Sequence, residues 1–212
     1  MTTDISDAKS QEPRLPRSMI HPLRQRICLS DPSEEWLLHE GRLGQEFGVS
    51  RTPVRQVLQR LAFEGLVETR SGIGTVVTAL DPALRDRDLD LLRGVLRLAQ
   101  GHVPSGISLQ MRVELAGLGV LAQVAKEEGE TGAALFQARA GLLSAVNQLI
   151  PDQILAQCHE AMHWRVVRRR MDSAKRDLGG AVRDFVSLHA CISAATRPHD
   201  VIEALILEQD NC

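Results

Sequence analysis

The sequence predicts a mainly α protein: an N-terminal winged helix-turn-helix with a two-stranded wing, then a C-terminal all-α antiparallel helical bundle. Three observations predict it. Gly48-Val49-Ser50-Arg51-Thr52-Pro53-Val54-Arg55 reads as a turn and a helix start, and Val54, Val57, Leu58 and Leu61 follow at helical spacing. Two short β-branched segments, Leu66–Arg70 and Thr75–Thr78, flank Ser71-Gly72-Ile73-Gly74, as in a hairpin with glycines at its tip. Beyond Ala83 no strand pattern occurs, and helical stripes alternate with glycine and proline breaks.

Taken in order, residues 1–16 are polar and aperiodic, with Pro13 and Pro16, and are expected to be a disordered lead-in. Residues 17–80 form the winged domain. Within it a short helix is expected from Pro22 to Leu29, opened by a first-turn proline, and Asp31-Pro32-Ser33 breaks it. A second helix is expected over roughly Leu38 to Phe47, with Leu43 and Phe47 facing the core and Gly48 as terminator. The third runs from about Arg51 to Phe63 or Glu64, with Ser50 as N-cap and Gly65 as stop. Asp81-Pro82 marks the boundary. Residues 83–212 form the bundle, opened by the stripe Leu89, Leu92, Leu96 and Ala99. Further helices are expected near 108–128, 132–149, 152–173, 176–195 and 199–209.

Composition excludes several classes. The 212 residues carry a net charge of −2, so any nucleic-acid binding must come from local charge. Arg51, Arg55 and Arg60 supply such a region, because no acidic residue lies between Gly48 and Phe63. Cys28, Cys158, Cys191 and Cys212 have no metal-type spacing and are expected to be reduced thiols. The start of the chain lacks a signal-peptide pattern, and the longest apolar run, Leu115 to Ala125, is too short for a membrane span and fits a buried helix. A cytoplasmic protein without membrane contact is expected.

At these residues the chain resembles the GntR family of bacterial transcription regulators. The resemblance rests on Gly48 to Arg55, on Leu58-x-x-Leu61-x-x-x-Gly65-Leu66-Val67, and on the Gly72-x-Gly74 wing. The helical remainder is similar in size and class to the effector domain of the FadR-like (FCD) branch. The resemblance implies a homodimer that binds double-stranded DNA at a near-palindromic operator and responds to a small-molecule effector bearing a carboxylate. It places DNA contacts on Ser50, Arg51, Thr52, Pro53 and Arg55, and on Gly72 at the wing. Many relatives have an arginine in the helix before the turn, where this chain has Gly41 with Arg42 beside it. Metal-binding relatives use an Asp-x-x-x-His pair and two later histidines. The matching segment here, Ala138 to Leu143, has neither ligand, His189 fits the second position, and the last falls near Asn211. No resident cofactor is therefore expected.

One rival motif stands apart. His159-Glu160-Ala161-Met162-His163 matches the H-E-x-x-H pattern, in which two histidines on one helix face hold zinc and the glutamate acts as general base. A metal-dependent hydrolase is the alternative reading, and His159, His163 and His189 are its metal candidates. The ordinary role for such histidines is packing on a bundle helix. Among the cluster Arg165, Arg168, Arg169 and Arg170, an arginine turned inward suits a carboxylate, which makes Arg165 and Arg169 candidate effector ligands. His159 and His163 with His189 offer a relocated metal site lining the effector cavity, which adds His163 and His189 to those candidates. A regulator whose second domain binds no ligand is a further alternative.

Overall fold

A computed structural model describes residues 17–127 and 131–210. The expected lead-in 1–16, Asn211 and Cys212 lie outside the described residues. The head consists of α1 (Arg17–Leu29), β1 (Trp36–Leu38), α2 (Glu40–Phe47), α3 (Arg51–Phe63), β2 (Glu68–Arg70) and β3 (Gly74–Val77).

The first helix starts earlier than its proline suggests. Pro22 lies inside α1, on its exposed side, while Met19, Leu23 and Ile27 are buried at four-residue spacing. An interior proline removes one helical hydrogen bond; here its face points to solvent, and the buried stripe holds the helix together.

The second expected helix begins two residues late. Trp36–Leu38 instead forms an edge strand, pairing antiparallel with β3 through Trp36↔Val77, Leu37↔Val76 and Leu38↔Thr75. The wing hairpin β2–β3 is thus extended to a three-stranded sheet of order β1-β3-β2. Three residues without alternation carry no period from which to predict that strand.

The turn between α2 and α3 follows from two glycines. Gly48 has φ +64; its N–H donates to the Gln45 carbonyl, and the Val49 N–H donates to the Gly44 carbonyl at 2.9 Å. This pair of bonds caps the last carbonyls of α2. A Cβ at Gly44 would lie 2.9 Å from the Val49 oxygen, so the turn requires a residue without one there. Val54, Val57, Leu58 and Leu61 of α3 are buried as their spacing predicts.

A single turn at Pro82–Leu84, capped by the Asp81 carboxylate accepting from the Ala83 N–H, leads into the bundle. Its helices are α4 (Arg85–Gln100), α5 (Leu109–Glu127), α6 (Thr131–Gln148), α7 (Gln153–Arg176), α8 (Leu178–Ala194) and α9 (Pro198–Asp210). These match the expected intervals to within a few residues, and Leu89, Leu92, Leu96 and Ala99 are buried on α4. Leu115 to Ala125 differs from its expectation: α5 buries Leu115, Leu118, Ala122 and Ala125 but leaves Val120 65% exposed, because it packs only one face, on α6 and α8. No helix among the described residues is long and apolar enough to cross a membrane.

The central member is α7. Its first turn is capped by the Asp152 carboxylate, which accepts from the Leu155 N–H at 2.8 Å. Trp164 of α7 is buried beside Phe136 of α6, and α1 of the head packs on both helices.

Candidate nucleic-acid interface

The N-terminal half of α3 divides cleanly. Its buried stripe fixes it to the head, and Ser50, Arg51, Thr52, Arg55 and Gln59 are exposed on the other side, with Pro53 half-buried in the first turn. Ser50 stands in the N-cap position (φ −72°, ψ 171°), but its side chain makes none of the capping hydrogen bonds expected of it. No side-chain cap takes up the first-turn N–H groups, and Ser50 is itself exposed, an arrangement suited to a phosphate. Arg42 on α2 and Gly72 at the wing are exposed, and Gly72 has φ +74.

Arg55 has a neighbour the sequence did not reveal. Its Nε donates to both carboxylate oxygens of Glu40 at the start of α2, at 3.1 and 2.9 Å. Both side chains are substantially exposed, so the pair orients the guanidinium at little energetic gain.

The opposite end of α3 meets the bundle through Arg60 and Glu64. Glu64, fully buried, accepts from Arg24 of α1 through Nε at 3.0 Å and through Nη2, and from Arg60 one turn earlier at 2.8 Å. Glu160 of α7 closes the ring: one oxygen takes Arg24 at 2.7 Å and the other takes Arg60. The Arg24 guanidinium also lies 4.5 Å from the centre of the Trp164 ring. Burial pushes the Glu64 carboxyl above the usual range, while the Arg24 hydrogen bonds and charge work in the other direction. The same face of α7 holds three backbone carbonyls of the head and connector: Arg165 Nε donates to Glu64 O, Arg168 Nη2 to Thr78 O, and Arg169 Nη1 to Asp81 O. One helix face of the bundle thereby fixes the direction in which α3 points.

Known proteins share this winged helix-turn-helix. Residues 17–77 match the model of the bacterial regulatory proteins, gntR family. The head carries this likeness. Over 82 residues, 39% of the chain, the sequence is 40% identical to an uncharacterised HTH-type transcriptional regulator in an unstable DNA locus of Streptomyces ambofaciens. That match spans about a third of the relative's length (34%). The fold as a whole is similar to that of McbR/YncC from E. coli, with a TM-score of 0.64 over 92% of each chain at 16% identity. At that identity the likeness is one of fold, and it extends through the bundle as well as the head.

Behind the head, the candidate effector and metal residues fall in separate places. His159 and His163 are buried, their rings edge to face at 5.1 Å between centroids. His163 Nδ1 lies 3.2 Å from His159 Nε2, and His159 Nδ1 lies 3.2 Å from Asn147 Oδ1. Burial lowers the pKa of His159 to about 4 and that of His163 well below its usual value, so both are neutral near pH 7. Glu160, between them in sequence, points away into the ring with Arg24 and Arg60. No group of three His, Cys, Asp or Glu side chains among the described residues could hold a metal ion.

His189 lies elsewhere, on α8, with Nε2 2.9 Å from the Leu115 carbonyl and its ring over Gly119. Arg165 and Arg169 do meet, around Asp88 at the joint between head and bundle. Sequence reasoning missed Arg24, Arg60, Glu64, Glu160 and Trp164 as a unit. The i, i+4 pair Arg60–Glu64 was its one local signal. The remaining partners are over 35 residues distant in sequence.

Proposed function

We propose that this chain is a DNA-binding transcriptional regulator of the GntR family, in its FadR-like (FCD) branch, acting in the cytoplasm. It binds a near-palindromic operator as a homodimer and responds to a small carboxylate-bearing metabolite, with no resident cofactor. One observation carries the reading: the exposed, acid-free start of α3 stands on a helix whose other end is clamped by Glu64 and Glu160.

In this reading Arg51 or Arg55 reads a guanine through O6 and N7, a contact whose loss costs about 1–3 kcal/mol. Ser50, Thr52 and the first-turn N–H groups hold phosphates, and Arg42 and Gly72 approach the backbone on either side. Two copies related by a two-fold axis would set their third helices about 34 Å apart, one turn of DNA. Effector control is a shift between DNA-competent and incompetent arrangements, worth about 1–3 kcal/mol.

The test is selection of duplexes from a random pool, followed by anisotropy titrations across salt and light scattering of the free protein. The reading expects a selected duplex bound at least about 10³-fold tighter than competitor DNA, affinity falling with salt, and a mass of two chains. No preference for any duplex by the folded protein would overturn it. Metal analysis addresses the hydrolase alternative: stoichiometric zinc, lost in a His159→Ala/His163→Ala variant, would favour that chemistry instead.

A further inference from the structure

We propose that the cavity at the joint between head and bundle is a binding site for a small oxyanion, the carboxylate or phosphate group of a metabolite. The inference rests on the regulatory reading above and gives its effector a place. The cavity has a volume of about 200 Å³ and lies between the end of α3, the connector at residues 78–81 and the face of α7. Four guanidiniums line it, Arg87, Arg165, Arg168 and Arg169, against two carboxylates, Asp81 and Asp88.

That positive surplus is greater than the count suggests. The Asp81 carboxylate is turned to the Ala83 N–H. Buried Asp88 serves three guanidiniums at once: Arg169 at 2.7 Å, Arg87 at 3.4 Å and Arg165 at 3.9 Å. Arg168 is 5% exposed and makes no direct ion pair among the described residues, Asp172 acting on it only at longer range; its hydrogen bond goes to the Thr78 carbonyl at 2.6 Å. Burial accordingly lowers its pKa from the ordinary arginine value. Arg165 donates only from Nε, to the Glu64 carbonyl at 3.3 Å, and its terminal nitrogens make no hydrogen bond to a described residue.

Guanidinium forks of this kind match the paired oxygens of a carboxylate or phosphate. The volume is below the roughly 300–1,000 Å³ of pockets that enclose a whole drug-sized ligand, so the site takes an anionic head group or a very small acid. Gly65 helps to admit the fork, since a Cβ there would lie 2.5 Å from Arg165 Nε.

Occupancy reaches the DNA-binding surface by a short path. The guanidiniums that would grip the anion also hold the carbonyls of Glu64, Thr78 and Asp81, the points where α3 ends and the connector begins. An oxyanion competes for those donors and re-aims the head.

The experiment uses the full chain in chloride buffer at constant ionic strength, titrated separately with inorganic phosphate and with acetate by calorimetry. At least one probe should bind the wild type, and Arg165→Gln and Arg87→Gln should each weaken it by about tenfold or more, as expected for a charged hydrogen bond. Arg183→Gln, on the exposed surface of α8, should leave it unchanged. The bound probe should also alter duplex affinity of the wild type but not of Arg165→Gln. Phosphate alone or acetate alone supports the site and assigns the head group. Binding of neither, or binding indifferent to both substitutions, overturns it. Anion binding is read without DNA, so a failure to bind any duplex would count against the regulatory reading only.

Discussion

At its N-terminal end α3 presents Arg51 and Arg55 to solvent, the second held loosely by Glu40; at its C-terminal end Arg60 is enclosed with Glu64, Arg24 and Glu160. The same side chain thus serves two purposes within three turns. Exposed, it keeps donors for a partner outside the molecule. Enclosed, it fixes the helix to a second domain at an energetic cost of desolvation that its carboxylates offset. The buried end sets the angle at which the exposed end stands.

The largest separation between the two ends should come from Glu64→Ala. It leaves Arg24 and Arg60 facing each other in a buried site with only Glu160, and about 3–5 kcal/mol of stability should be lost in urea unfolding. A loss under about 1 kcal/mol would show that the ring is no anchor.

Acid should act on the anchored side next. His159 has a folded pKa of about 4 against an ordinary 6.5, so its contribution is complete above pH 6.5 and disappears as pH falls towards 4. The difference corresponds to about 3 kcal/mol. Glu64 has the opposite sign. Its pKa is raised, so its contribution is present below the ordinary carboxylate value and is lost as pH rises through the raised one. Unfolding from pH 7 to 4 should therefore show a fall that His159→Gln reduces in part, since buried His163 is shifted in the same direction; an unchanged slope would remove His159 from the account.

Local patterns made much of this molecule legible. The α3 stripe, the glycine turn before it, the wing and the bundle helices all follow from spacing and breakers within one element. Pro22, the Trp36–Leu38 strand and the exposed face of α5 were not legible, because each depends on what packs across from it. The exposed side chains Ser50, Arg51, Thr52 and Arg55 could be named because they lie within two turns at the start of one helix. The Arg24–Glu64–Arg60–Glu160 ring could not, since three separate helices converge to make it, and Glu160 was disguised inside an H-E-x-x-H pattern. Its flanking histidines turned out to be a buried neutral pair.

The smallest effect expected is at Glu40. Glu40→Gln breaks an exposed ion pair worth about 0–1 kcal/mol, so thermal stability should hardly move. Duplex affinity should rise slightly, mostly at low salt, because a negative charge beside the DNA face is gone. A marked fall would mean instead that Glu40 is needed to aim Arg55.

The most direct measurement is duplex affinity of an Arg51→Ala/Arg55→Ala variant against its selected operator, with unfolding monitored in parallel. Both side chains are exposed, so stability should stay within about 0.5 kcal/mol of wild type. Operator affinity should drop by at least about tenfold, with weaker discrimination among sequences. Wild-type affinity and specificity in that folded variant would contradict the assignment of the α3 surface to DNA.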